Sequence, residues 1–316
     1  MGVADASRAF IFPGQGAQAI GMGRALAETW PEARAVFDAV DEALGEKLSA
    51  LIWEGEAETL TLTANAQPAL MATSMAAMAA LRTEGVEVTA AAMVAGHSLG
   101  EYSALCAAGA LSLADTARLL RLRGRAMQEA VPVGEGAMAA VLGLDIAAVE
   151  ALAAEAAGAT GQVCEAANDN DPAQVVVSGA AAAVAHVVAH AKAAGARRAL
   201  ALPVSAPFHC ALMQPAAEAM EAALANVAIA APAVPLVANV RAEAVQDPEA
   251  IRGLLVAQVT GRVRWRESVA WMAGQGVTEF WEIGAGKALS GMVRRIAPEA
   301  TTRAIGTPED LRAALA

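Results

Sequence analysis

An α/β fold is predicted, with a mainly parallel sheet in a large domain and a small domain inserted into it, and three observations carry the expectation. Hydrophobic residues make up 56% of the 316 residues but aromatic residues only 3%, with Ala dominating. Helices that pack closely through small side chains are therefore favoured over a β sandwich. The apolar run Ala91 to Ala95 leads into Gly96-His97-Ser98-Leu99-Gly100 and then a helix-like segment, a strand–turn–helix signature. Between Gly136 and Ser205 the pattern reads β-α-β-β-α-β, the split unit of a ferredoxin-like domain.

Arg8 to Phe12 reads as a strand that ends in the Gly-rich loop Pro13-Gly14-Gln15-Gly16-Ala17-Gln18. The loop lacks the spacing of a dinucleotide fingerprint or a P-loop. A helix carrying Ala25, Leu26 and Trp30 follows, then one near Pro31 to Leu44, then one starting at Pro68, a residue suited to a first helical turn. After the Ser98 turn, Ser112 with Asp115 three residues on predicts a capped helix over Leu113 to Ala130. The insertion offers strands at 137–142, 162–167, 174–178 and 198–204 and helices at 147–157 and 181–194. Beyond it come a helix at 216–224, a strand at 234–239, a helix at 265–273, a strand at 278–283 and a helix at 288–296. The expected division is 1–134 and 206–316 for the large domain and 135–205 for the small one. Its edges fall at Pro132-Val133-Gly134 and Ser205-Ala206-Pro207.

A net charge of −11 argues against sequence-independent nucleic-acid binding, which needs a basic face. Met1 to Arg8 lacks the pattern of a secretory signal, and the apolar stretches are broken short of a membrane span by His186, His190, Lys192, Pro232 and Pro235. Cys106, Cys164 and Cys210 form neither a disulfide framework nor a zinc pattern, so a cytoplasmic protein without a metal is expected. The span from Met1 to Ala316 favours a free-standing enzyme over a synthase module, and a monomer is expected.

Ser98 on its tight turn presents a hydroxyl at the sheet edge, and the backbone N–H of Leu99 at the start of the next helix can stabilise an oxyanion. The hydroxyl needs a base. His97 adjoins Ser98 and its side chain should diverge from it, so a structural role is expected. His186 and His190, at i and i+4, lack further ligands for a metal and are expected to be packed or solvated. His209 lies in a Pro-containing loop where the chain re-enters the large domain, the better place for a catalytic group. No acid stands free to complete a triad, which leaves a Ser/His dyad with the imidazole oriented by an amide or carbonyl group. Arg123 sits in the apolar stripe Leu119, Leu120, Ala126, Met127 and Ala130, whereas Arg118, Arg121 and Arg125 fall on other faces and read as solvated. A buried guanidinium cannot shed its charge, so either an internal Asp or Glu or a substrate carboxylate must meet it.

With these residues the chain resembles the malonyl-CoA:acyl carrier protein transacylases over nearly its whole length. The matching blocks are Phe12-Pro13-Gly14-Gln15-Gly16-Ala17-Gln18 with Gly21-Met22-Gly23, Gln67-Pro68-Ala69, Gly96 to Tyr102, and Arg123-Gly124 with Met127-Gln128. Asn168 with Gln174 to Gly179, Pro207-Phe208-His209, Gln258 with Val263-Arg264-Trp265, and Glu282-Ile283-Gly284 complete the order. The resemblance implies a hydrolase-like large domain with a ferredoxin-like insertion. It further implies malonyl transfer from malonyl-CoA to acyl carrier protein in fatty acid synthesis, with no cofactor of the enzyme's own and no nucleic acid or membrane partner. It assigns Ser98 as nucleophile, His209 as base, Arg123 as clamp on the malonyl carboxylate, Gln15 and Leu99 as backbone oxyanion donors and Gln258 as the group orienting His209. Met127, Asn168 and Phe208 belong to the pocket, Phe208 crowding the place of an α-methyl group. Gly261-Arg262 departs from the usual Ser-Pro pair and predicts a looser loop around Gln258; Asp169 is also atypical. An acidic carrier needs a basic patch, for which Lys192, Arg197, Arg198, Arg262, Arg264, Arg294 and Arg295 are candidates. The alternatives are a transferase loading a polyketide carrier and a serine thioesterase or esterase.

Overall fold

The structure, a computed structural model, describes residues 5–204 and 206–316, with side chains from Ser7 onward. Expectations that fall on Met1 to Ala4 and on Ser205 lie outside these residues. The first part of the chain contains β1 (Asp5–Phe12), α1 (Arg24–Thr29), α2 (Pro31–Leu44), α3 (Leu48–Glu54), α4 (Ala57–Thr61), α5 (Thr63–Thr83), β2 (Ala91–Gly96), α6 (Gly100–Ala107) and α7 (Leu113–Glu129). The small sheet and its helices come from β3 (Gly136–Leu142), α8 (Ile146–Thr160), β4 (Cys164–Asp171), β5 (Gln174–Ala180), α9 (Ala181–His190) and β6 (Arg198–Ala201). The chain then forms α10 (Gln214–Leu224), β7 (Leu236–Val237), β8 (Ala244–Val245), α11 (Pro248–Thr260) and α12 (Trp265–Gly274). It closes with β9 (Glu279–Ile283), α13 (Ala288–Ile296), β10 (Thr301–Ile305) and α14 (Pro308–Leu315).

The large sheet runs in the order β10-β9-β1-β2-β7-β8, parallel except for the β7–β8 pair. Alternation along β1 sends Phe10 and Phe12 to one face and Ala9 and Ile11 to the other. The first pair joins the α2, α5 and α7 core, the second joins Trp265, Met272 and Phe280, so the sheet is covered on both sides. Each buried Phe contributes about 1.5–3 kcal/mol. The 21-residue helix α5 lies almost wholly inside, which its run of Ala and Met permits. It crosses α7 so closely that a Cβ at Gly124 would lie 2.6 Å from the Ala64 Cα.

The small sheet is antiparallel, in the order β4-β5-β3-β6, with its own core of Val141, Val149, Leu152, Val175, Val177 and Val184. That is the strand order of the split βαβ arrangement expected from the sequence. Its strand β4 docks on the large unit. Asn168 bridges Val263, the Asp169 N–H donates to the Val263 carbonyl at 3.0 Å, and Arg266 and Arg295 pair with Asp169 and Asp171.

Several expectations need correction. Pro68 does not open a helix; α5 starts at Thr63 and carries Pro68 inside it. Proline cannot bond the carbonyl four residues back, and the freed Ala64 oxygen instead accepts from Arg121 Nη1 at 2.6 Å. Arg121 is consequently buried rather than solvated, and it also pairs with Glu46. The strand at 198–204 stops at Ala201, that at 234–239 shortens to two residues, and β4 runs on to Asp171. Helices α11 and α14 are additional to the elements expected from the sequence, and Asp247-Pro248 and Thr307-Pro308 are their N-cap and first-turn pairs.

Candidate active site

The C-terminal ends of β1 and β2 lie side by side, Phe12 opposite Gly96, and the segments that leave them meet above the sheet. Ser98 has φ 53°, the left-handed region that strains a side-chain-bearing residue by about 1–3 kcal/mol. The turn closes because its flanking glycines have no side chains. A Cβ on Gly100 would lie 2.2 Å from the Phe12 carbonyl oxygen, and one on Gly96 1.9 Å from Gly100. Asn239 then pins it, accepting from the Ser98 N–H at 2.8 Å and donating to the Gly96 carbonyl at 2.7 Å.

His209, at φ 60°, brings its Nε2 to 2.7 Å from Ser98 Oγ. Its Nδ1 faces two main-chain acceptors, the carbonyls of Gln258 at 2.9 Å and Gly261 at 3.2 Å. Acceptors there require the proton on Nδ1, which leaves the Nε2 lone pair toward the hydroxyl. Burial and the Arg123 charge push the imidazole down to about 3, so it stands unprotonated. The orienting group is thus the main chain of Gln258, not its carboxamide.

Arg123 is 1% exposed. Its Nη1 donates to Gln67 Oε1 at 2.7 Å, and its Nη2 donates to Gln258 Oε1 at 2.8 Å and to Ser98 Oγ at 3.2 Å. Every one of these acceptors is neutral, its Nε has no partner, and no carboxylate forms an ion pair with it among the described residues. The internal-carboxylate alternative is therefore set aside. Burial lowers its pKa, against the opposing pull of Tyr102, whose ring lies 5.7 Å from the guanidinium carbon, and of the Glu101 charge, which does not touch it.

These groups open on a cavity of about 490 Å³ whose lining includes Gln15, Leu99, Met127, Asn168 and Phe208. The N–H groups of Gln15 and Leu99 find no acceptor among the described residues, as oxyanion donors must not. Gln258 stands behind the wall rather than in it. Four participants escaped the sequence reading: Gln67, which holds Arg123; Asn239 and Glu101, which brace the turn; and Asn170, bonded to His97 Nε2 at 2.8 Å. Gln67 belongs to the Gln67-Pro68-Ala69 block, but nothing in its neighbours tells that it faces an arginine 56 residues on.

A family model described as an acyl transferase domain matches residues 9–297. The Malonyl CoA-acyl carrier protein transacylase of Escherichia coli K12 is 47% identical over 97% of this chain and 98% of its own length. The chain belongs to this acyl transferase family. The transacylase of Bacillus subtilis strain 168 is 46% identical over 97% of this chain and 96% of its own. Among solved structures, an acyl-carrier-protein-S-malonyltransferase from Bartonella henselae superposes with a TM-score of 0.95 at 56% identity, covering 98% of both chains. A malonyl-transacylase in complex with its type II PKS acyl-carrier protein gives 0.94 at 42% identity, over 98% of this chain and 99% of that one.

In this acyl transferase the candidate basic residues are unequal. Arg262, Arg264 and Arg295 are engaged with Glu150, Glu267 and Asp171, whereas Lys192, Arg197 and Arg198 form no ion pair among the described residues. The loop with Gly261-Arg262 is not left loose, because Arg262 Nε donates to the Ala166 carbonyl at 3.0 Å and the Val263 N–H to that of Ala167 at 2.9 Å. His186 and His190 stack on each other with centroids 3.9 Å apart, and no cluster suited to a metal occurs among the described residues. No helix among them is long and apolar enough to cross a membrane.

Proposed function

We propose that the protein transfers a malonyl group from malonyl-CoA to the phosphopantetheine thiol of an acyl carrier protein, through a malonyl ester on Ser98, in fatty acid biosynthesis. The observation that carries this reading is the buried Arg123 fork, met only by neutral acceptors and 3.2 Å from the Ser98 hydroxyl. A cation so placed favours an acyl group that ends in a carboxylate, and a hydrolase of neutral esters has no use for it.

His209 takes the Ser98 proton on Nε2 as Oγ attacks the thioester carbon. The oxyanion that forms accepts from the Gln15 and Leu99 N–H groups, each such donor being worth about 3 kcal/mol. The carbon–sulfur bond breaks, CoA leaves with the proton from His209, and the ester remains. The carrier thiol then repeats the sequence in reverse. Thioester is exchanged for ester and back without change of oxidation state, so the chemistry asks for no cofactor. The three cysteines, all free, suit a cytoplasmic setting. The segment 135–205 acts as the inserted domain, contributing Asn168 to the pocket wall and carrying unpaired basic residues for the carrier.

Brief mixing with malonyl-CoA followed by peptide mass spectrometry tests the reading. A malonyl ester on Ser98 that disappears on adding a carrier is expected; an unmodified Ser98 overturns it. The relative solved with a type II PKS carrier makes a polyketide carrier the second acceptor to assay.

A further inference from the structure

Glu101 takes no part in the scheme above, yet it lies under the nucleophile, wholly buried on the first turn of α6. Its Oε2 accepts from the Asn239 N–H at 3.0 Å and from Gln258 Nε2 at 2.9 Å, while its Oε1 has no partner. A half-satisfied buried carboxylate is costly, and a carboxamide of the same shape would fill the space at lower cost. The difference between the two is that a carboxylate only accepts.

The Gln258 side chain is an amide with two unlike ends. Its nitrogen faces Glu101, the Ser98 carbonyl at 3.0 Å and Asn239 Oδ1 at 3.4 Å; its oxygen faces Arg123 Nη2 at 2.8 Å. Turned over, the amide would set N–H groups against a guanidinium, and Arg123 would lose one of the acceptors that aim its fork. Resting on the malonyl-transfer reading, we propose that Glu101 is a positioning residue: as an ionised acceptor it fixes which end of the Gln258 carboxamide meets Arg123, and through it the preference for acyl groups bearing a carboxylate. The path runs Arg123 to Gln258 to Glu101, so the cation is balanced at one remove and its inner face stays open for the substrate's own charge.

Ionisation of Glu101 falls in an accessible range. Burial pushes it up to about 7, while the Asn239 and Gln258 bonds and the Arg123 charge pull it down. The titratable groups acting with it are Arg123 from α7 and Tyr102 on its own helix, the latter pushed up to about 12; His97 and His209 are both lowered by burial. Neither the tyrosine nor the His209 imidazole should therefore change charge near neutrality.

The test is the ratio of kcat/KM for malonyl-CoA to that for acetyl-CoA, measured from about pH 5.5 to about pH 8.5 in the wild type and in Glu101→Gln. Effects on the Ser98–His209 pair cancel in the ratio. In the wild type the ratio should fall severalfold as pH drops through about 7; in Glu101→Gln it should be about tenfold lower and flat with pH. A wild-type ratio that does not vary with pH, or a variant that keeps the wild-type ratio, overturns the assignment. The wild-type profile needs no variant to fold. A wild type that favours acetyl-CoA at every pH defeats the malonyl reading itself, which is a different result from a malonyl preference indifferent to residue 101.

Discussion

His209 Nε2 stands 2.7 Å from Ser98 Oγ, and both residues occupy left-handed backbone conformations, at φ 60° and φ 53°. The surrounding fold holds both partners of this hydrogen bond in strained backbone conformations, with donor and acceptor in reach and no acidic residue bonded to the imidazole among the described residues. The carbonyls of Gln258 and Gly261 take the place such an acid would have.

The depressed imidazole has a consequence for stability. His209 is held at about 3 against an ordinary value of 6.5. The unfolded chain binds a proton below 6.5 that the folded chain refuses, so this residue's contribution is complete above that value and is lost as pH falls toward about 3. Tm measured across that window should drop more steeply in the wild type than in His209→Ala, where the remaining groups still titrate. Parallel curves would show that the imidazole is not buried as described.

Removing the cation should separate the substrates. Arg123→Ala is expected to lower kcat/KM for malonyl-CoA by about a hundredfold or more, the worth of a desolvated charge-assisted pair. Acetyl-CoA, with no carboxylate to hold, should be spared or improved. The same change should raise the His209 pKa, since the Arg123 charge is one of the two causes that lower it most, and an NMR titration of the imidazole reads this directly. Equal loss with both acyl groups counts against the clamp.

Much of this site is legible in the chain because its parts are local. Gly96 to Gly100 announces a turn by its two glycines, and Arg123 betrays itself as a charge in an apolar stripe. What holds these parts is not local. Gln67, Asn239 and Glu101 are ordinary residues in a sequence, and their roles exist only where α5, the turn after β7 and α6 converge. The burial of Arg121 is hidden for the same reason: its partner, a carbonyl freed by Pro68, lies 57 residues earlier on another helix. In the fold, strongly periodic segments are readable, whereas the run 234–239 overstates the two-residue strand β7 and the equally short β8 carries too little pattern to be seen.

Gly100→Ala should fail for a reason independent of chemistry. The added Cβ meets backbone atoms, the Phe12 oxygen at 2.2 Å and the Pro13 oxygen at 2.9 Å, and neither can swing aside as a side chain could. A loss of at least about 2 kcal/mol is expected, read from denaturant unfolding, together with loss of Ser98 acylation. Wild-type stability in this variant would mean the turn is not packed against β1 as found.

The junction between the two sheets should also bear on the imidazole. Asp169 is fully buried and its carboxylate is tied to Arg266, which is 30% exposed. Arg266→Ala leaves that carboxylate unpaired, and about 2 kcal/mol of destabilisation is expected, less than the ~3–5 for a fully buried pair because the arginine is partly in water. The Asp169 pKa, already raised by burial, should rise further without its cation, so the deficit should shrink as pH falls and the carboxyl protonates. Asp169→Asn combined with Arg266→Ala removes the orphaned charge and should recover part of the loss, a coupling that a double-mutant cycle measures. The Asp169 N–H bonds the Val263 carbonyl two residues from Gly261, whose own carbonyl accepts from His209. Arg266→Ala should therefore also slow Ser98 acylation, and the double variant should restore it in step with stability; a rate that stays at the wild-type level in Arg266→Ala would uncouple the junction from the base.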